Sequence, residues 1–191
     1  MRKLFVVFML LGMLLPGCVY VNMDVENKPV PGTNFSALKT FAFKQKSNSK
    51  KDLEAVLLNT AKLELEAKGF KYDPKSPDFL VLVNFGSKAF MERGVSYKRE
   101  SYEYDYISSK TNSDIGAVKT ADASRVNNTV RIYLTTPEDE GMKTYLWRGK
   151  ASSQDREGLS TVGKCLVKGA LLKFPAASGN FREKLNVRDC E

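Results

Sequence analysis

The stretch Phe79-Leu80-Val81-Leu82-Val83-Asn84-Phe85 constrains the fold more than any other part of the chain. It is apolar except for Asn84, and the turn-forming residues Asp73-Pro74-Lys75-Ser76-Pro77, followed by Asp78, bound it on one side. A strand with one wet face alternates apolar and polar residues, whereas an uninterrupted run suits a central strand buried on both faces. Such a strand needs neighbours. Val19, Val21, Met23 and Val25 alternate along one candidate, and Phe41 and Phe43 share a face of a second, entered from a turn at Phe35. Thr129 to Thr135 and Lys143 to Ser152 form a hairpin about the turn Thr136-Pro137-Glu138-Asp139-Glu140-Gly141. Two helices can cover the sheet. One spans 52–68, with Leu53, Leu57, Ala61 and Leu65 every four residues and Gly69 as its stop; the other spans 159–174, with a stripe from Leu159 through Val162, Leu166 and Ala170 to Phe174, ended by Pro175. The expected fold is α+β, a two-layer sandwich in which a mixed sheet of about five or six strands carries two main helices on one face.

Residues 86–128 are harder to read. Tyr102, Tyr104 and Tyr106 alternate with Glu103 and Asp105 downstream of Tyr97, in the manner of a strand showing tyrosines on one face, and Lys110 to Asn128 has the composition of a long loop.

The N-terminus carries an address. Arg2 and Lys3 precede an apolar run from Leu4 to Leu15, which closes on Pro16-Gly17-Cys18. A basic start, a short apolar core and a small residue before the break make the secretory pattern, and the run falls short of the ~20 residues a spanning helix needs. Leu15-Pro16-Gly17-Cys18 resembles the lipobox of bacterial lipoproteins, with Pro16 less usual at its position than Ala or Ser. The resemblance implies that residues 1–17 are a cleaved signal peptide and that Cys18 carries acyl chains; an ordinary cleaved signal or a retained apolar segment are the alternatives. Val19 rather than Asp after the cysteine implies, by the sorting rule of enteric bacteria, the outer membrane, with the domain facing the periplasm. Many lipoproteins have a long polar tether at this point. Here the strand pattern starts at Val19, which places the domain flush against the bilayer.

Removing residues 1–17 leaves 174 of 191 residues, enough for one domain over 18–175 with a C-terminal tail at 176–191. The 30 basic residues, less Arg2 and Lys3, stand against 22 acidic ones and leave a balance of +6. Export takes away the commonest partner of a basic protein, nucleic acid, and leaves anionic lipid head groups, acidic glycans or an envelope protein. With Cys18 acylated, Cys165 and Cys190 remain, an even pair that suits one disulfide in an oxidising compartment, two free thiols being the alternative. On its helix Cys165 points away from the centre of the apolar stripe, toward the tail. The chain has no histidine, and so lacks the commonest general base, metal ligand and pH switch.

The order of motifs over nearly all of the mature chain resembles the bacterial lipoprotein family DUF4136, a domain of unknown function. The matching pieces are Phe35-Ser36-Ala37-Leu38-Lys39-Thr40-Phe41-Ala42-Phe43, Ala67-Lys68-Gly69-Phe70, Pro77-Asp78-Phe79-Leu80-Val81, Leu146-Trp147-Arg148-Gly149-Lys150-Ala151 and Leu171-Leu172-Lys173-Phe174-Pro175. The chain departs from the pattern at Asn128-Thr129, where a leading glycine is missing, and at an apparent insertion from Asn112 to Asn128. The resemblance implies a two-layer α/β domain exposed in the bacterial envelope, and it brings no catalytic residues.

Three constellations invite a chemical reading. Gly158-Leu159-Ser160-Thr161-Val162-Gly163-Lys164-Cys165 imitates a phosphate-binding loop, but Cys165 stands where a hydroxyl should meet magnesium, and Leu159 and Val162 belong to the helix stripe. Glu138-Asp139-Glu140 lacks the spacing of a calcium loop, so no metal site is expected. The hairpin is more promising. If Leu134 pairs with Tyr145, Ile132 with Trp147 and Val130 with Gly149, then Arg131 stands opposite Arg148, and like charges there repel unless an anion sits between them. Arg131 and Arg148, with Tyr133 beside them, therefore form a candidate site for a phosphate, sulfate or acidic head group. A register differing by two, or arginines engaged by Asp and Glu neighbours, is the alternative. No spacing singles out paired carboxylates or a Ser/Lys dyad, so the expected function is non-catalytic: a lipid-anchored binding or structural accessory at the membrane surface, without cofactor. An enzyme acting on envelope glycan or lipid is the alternative.

Overall fold

The computed structural model describes residues 20–44, 51–90, 125–139, 144–175 and 178–190. In chain order it contains β1 (Tyr20–Pro29), a 3-10 turn (Phe35–Ala37), β2 (Thr40–Phe43), α1 (Lys51–Ala67), β3 (Lys71–Tyr72), β4 (Phe79–Phe90), β5 (Arg125–Thr135), β6 (Trp147–Asp155), α2 (Leu159–Leu171), β7 (Gly179–Asn186) and a closing 3-10 turn (Val187–Cys190). The strands form one seven-stranded sheet in the order β3-β2-β4-β5-β6-β1-β7. β2 runs parallel to both β3 and β4, and every other pairing is antiparallel. The fold is thus α+β, a mixed sheet with two helices packed against it. The strands beyond the expected count are β3, two residues long, and β7, which forms from residues read as a tail.

Alternation decides which face each strand buries. Val21, Met23, Val25 and Asn27 of β1 point to the helices, as do Val130, Ile132 and Leu134 of β5 and Trp147 and Ala151 of β6, all nearly or fully buried. β4 behaves as its apolar run requires: Phe79, Val81 and Val83 are buried toward the helices and Leu82 toward the other face. It then continues through Gly86 to Phe90, where no apolar alternation marks a strand, because β5 pairs with it along its whole length.

Helix α2 lies across β5, β6 and β1, and α1 packs beside it. Close approach depends on glycine. A Cβ on Gly149 would collide with the Trp147 ring and the Ala170 carbonyl, one on Gly169 would strike the Met23 sulfur, and one on Gly163 would come within 2.8 Å of Leu57. Helix α1 ends in a Schellman arrangement. Gly69, at φ +91°, donates its N–H to the Glu66 carbonyl (2.9 Å) and Phe70 donates to that of Leu65 (3.1 Å). Phe70 then packs back on Phe79 and Phe174, with ring centroids 5.4 Å away in each case, and Phe174 continues the aromatic chain to Trp147 at 5.0 Å. One buried amide is tied in from both sides. Asn128 donates to the Glu157 carbonyl (2.8 Å) and accepts from the Ser87 hydroxyl (2.6 Å).

Candidate functional site

The hairpin register differs by two from the one that would oppose the arginines. Leu134 pairs with Trp147, Ile132 with Gly149 and Val130 with Ala151, so Arg131 faces Lys150 and Tyr133 faces Arg148. The turn sets this register. Asp139 accepts both the backbone N–H and the hydroxyl of Thr144 (2.7 Å each), and the Thr135 hydroxyl donates to the Thr144 carbonyl (3.0 Å), which closes a longer loop than the expected one. Arg148 does not wait for an anion. Its guanidinium donates to Glu26 (2.7 Å) and lies over the Tyr145 ring (5.9 Å), with Tyr145 edge-on to Tyr133 (6.3 Å). The register therefore does not oppose Arg131 to Arg148 as expected: Arg131 stands opposite Lys150 instead, and Arg148 opposite Tyr133.

The structure draws attention instead to the sheet face turned away from the helices, over β6, β1 and β7. Side chains there follow from pairing. One row across the strands is Arg148 and Lys28, the next Lys150, Glu26 and Asn180, the next Ser152, Asp24 and Arg182, and the last includes Asn22 and Lys184. A shallow depression of about 500 Å³ lies among Asp24, Glu26, Lys150, Ser152, Asn180 and Arg182. Both carboxylates are engaged: Glu26 accepts from Lys28 and Arg148 (2.7 Å each), and Asp24 pairs with Arg182 (3.1 Å). The hydrogen bond from Lys28, aided by the charge and hydrogen bond of Arg148, holds Glu26 below the usual carboxylate range against its partial burial. Lys150, between Arg131 and Glu26 in register, forms no ion pair among the described residues. Two further carboxylates are perturbed elsewhere. Asp78 is pulled down by the backbone N–H groups of Lys39 (2.7 Å) and Thr40 (2.8 Å), and Glu54 on α1 is pushed up by desolvation.

Sequence reading missed this surface because about a third of it lies on β7. The signal was nonetheless present. Asn22, Asp24, Glu26 and Lys28 occupy the opposite phase of the apolar alternation in β1, and Arg182 and Lys184 alternate with Phe181 and Leu185.

Cys165 and Cys190 form a disulfide with Cα atoms 5.1 Å apart, and both are buried. Gly158 caps α2, with Leu159 and Val162 in the core, so the segment shaped like a phosphate loop is packed helix. Cys18, Tyr97, Tyr102, Tyr104 and Tyr106 lie outside the described residues. Among the described residues no helix is long and apolar enough to cross a membrane.

The family profile described as Domain of unknown function (DUF4136) matches residues 23–176, from inside β1 to just past α2. The chain belongs to this family. Among solved structures, the DUF4136 chain is similar to the crystal structure of a PDZ domain protein from Parabacteroides distasonis, with a TM-score of 0.60 at 19% identity; the match covers 92% of this chain and 41% of that one. The DUF4136 chain thus spans about two fifths of that protein, and the likeness is one of fold. It is also similar to the PelC dodecamer from Paraburkholderia phytofirmans, at TM-scores of 0.44 and 0.41 and identities of 14% and 13% in two crystal forms, each match covering 78% of this chain and 94% of that one. No curated protein matches the DUF4136 chain.

Proposed function

We propose that this DUF4136 protein is a lipid-anchored protein of the bacterial envelope, held through acylated Cys18 in the outer membrane and facing the periplasm, where it binds a partner or supports an assembly without catalysing a reaction. The observation that carries this reading is where the sheet begins. β1 starts at Tyr20, two residues past Cys18, and is hydrogen-bonded to β7 from that first residue. Two residues of extended chain reach about 7 Å. An acyl group on Cys18 would therefore hold this end of the sheet at the bilayer surface, and the several chains of a lipoprotein make such attachment stable where one chain binds only marginally.

Glu26, Glu54 and Asp78, whose proton affinities are shifted, sit on separate elements, and each shift has a local structural cause in an ion pair, desolvation or a backbone turn. The test is fractionation and crosslinking in intact cells of wild type and Cys18→Ala. Wild type is expected to sediment with membranes and to capture a partner, and the variant to be released in folded form. Membrane association unchanged in Cys18→Ala would overturn the anchor.

A further inference from the structure

We infer that the sheet surface over β6, β1 and β7 is a binding site for an acidic polysaccharide. The surface is built for an extended polar ligand. It holds a shallow depression, and the side chains that its strands turn away from the helices are amides, hydroxyls and the cations Lys28, Arg148, Lys150, Arg182 and Lys184, with Tyr20 at one end and two carboxylates, Asp24 and Glu26, each paired with a cation. Lys150 sits at the edge of the depression with no ionic partner among the described residues, beside Ser152 and Asn180. The residue types match a uronate-like repeat. Lys150 would meet one carboxylate and Arg182, whose pairing with Asp24 is solvent-exposed and exchangeable, another, while Ser152 and Asn180 would exchange hydrogen bonds with hydroxyls.

Two competing ligands fit less well. An acidic protein would need an apolar anchor at the centre of the interface, where binding energy concentrates. The apolar residues that line the depression, Val25 and Phe181, are paired in the phase of their strands that faces the helices, and none of the exposed large apolar residues among those described, Tyr20, Val30, Val56, Leu63 and Leu172, lines it. A lipid head group would meet the end of the sheet near Tyr20, whereas Glu26 lies six residues further along β1, about 20 Å at the rise of a strand. The preference over a lipid head group rests on the anchor proposed at Cys18, whereas the match to an acidic polymer comes from the cations of the wall itself.

The test uses the intact protein in nonionic detergent and measures its binding to polygalacturonate, to neutral dextran of the same length and to poly-glutamate. Polygalacturonate is expected to bind in a salt-sensitive way, dextran not at all, and poly-glutamate much more weakly. Lys150→Gln and Arg182→Gln should each weaken polygalacturonate binding about tenfold, the loss of one charged hydrogen bond. Lys75→Gln, an equal charge change in the exposed turn before β4, should leave it unchanged. Equal binding of poly-glutamate, displacement of the polymer by phosphatidylglycerol vesicles, or an equal loss in Lys75→Gln would overturn the proposal. If Lys150→Gln does not fold, Arg182→Gln still decides, because that side chain is 92% exposed.

Discussion

The two edges of the sheet are finished in different ways. β3 is two residues long and leans on packing: the Tyr72 ring meets Phe41 at 5.6 Å and Phe43 at 5.9 Å, with Lys62 of α1 over it at 4.9 Å. β7 is eight residues long and buries none of them, although its neighbour β1 buries four. It is held by its ladder to β1, by Lys173 over the Phe181 ring (4.3 Å), and by the disulfide that ties the turn after it to the middle of α2. A long edge strand is a template for unwanted pairing, and charged residues such as Arg182 and Lys184 blunt it. Where apolar residues are plentiful the edge can be short and packed; where the surface must stay polar, a covalent bond takes the place of burial.

Removing the aromatic support should have the largest effect. Phe41 is fully buried against Phe43, Tyr72 and Phe79, and Phe41→Ala is expected to cost about 4 kcal/mol in denaturant unfolding, a large fraction of what a domain has. Breaking the other edge should cost less. The bond between Cys165 and Cys190 spans 25 residues, and replacing both with serine is expected to lower stability by about 3 kcal/mol. Hydrogen exchange then separates the two edges: amides of β7 should lose protection first in the serine variant while those of β2 keep theirs, and uniform loss would show that the edges are not independent.

The smallest effect belongs to Glu26, which joins Lys28 to Arg148 beside the β7 edge. Its folded value is lowered from 4.5, so its contribution is fully present above that pH and is lost as pH falls through the folded value. Glu26→Gln should cost about 1 kcal/mol near neutrality, and the gap to wild type should close in acid. A gap that persists at low pH would mean the side chain acts through packing.

Much of this arrangement was legible because alternation reports burial. The apolar phase of β1, the run of β4 and the four-residue repeat of α1 each predicted the face that the structure buries. Register was not legible, since shifting the hairpin by two leaves Val130, Ile132 and Leu134 on the same face with apolar partners. What distinguishes the two registers is the bonding of Asp139 to Thr144 and the space over Gly149 for the Trp147 ring, and neither has a periodic signature. β7 was obscured for a related reason. Glu183 falls in the apolar phase between Phe181 and Leu185, and an edge strand whose two apolar residues are only half-buried against the core has little pattern to show. The candidate site shared that fate, because a polar wall is recognised only once the strands that form it are known to be neighbours.

The place of β1 in the sheet has a mechanical consequence. The strand nearest Cys18 is an interior one, paired with β6 on one side and β7 on the other. A tug along β1 from its N-terminus would be resisted by two ladders loaded in parallel, and many hydrogen bonds would have to slide together before any one strand came free. An edge strand in the same position would be held by a single ladder. An anchor at Cys18, if load ever came through it, would thus pull on a strand held from both sides.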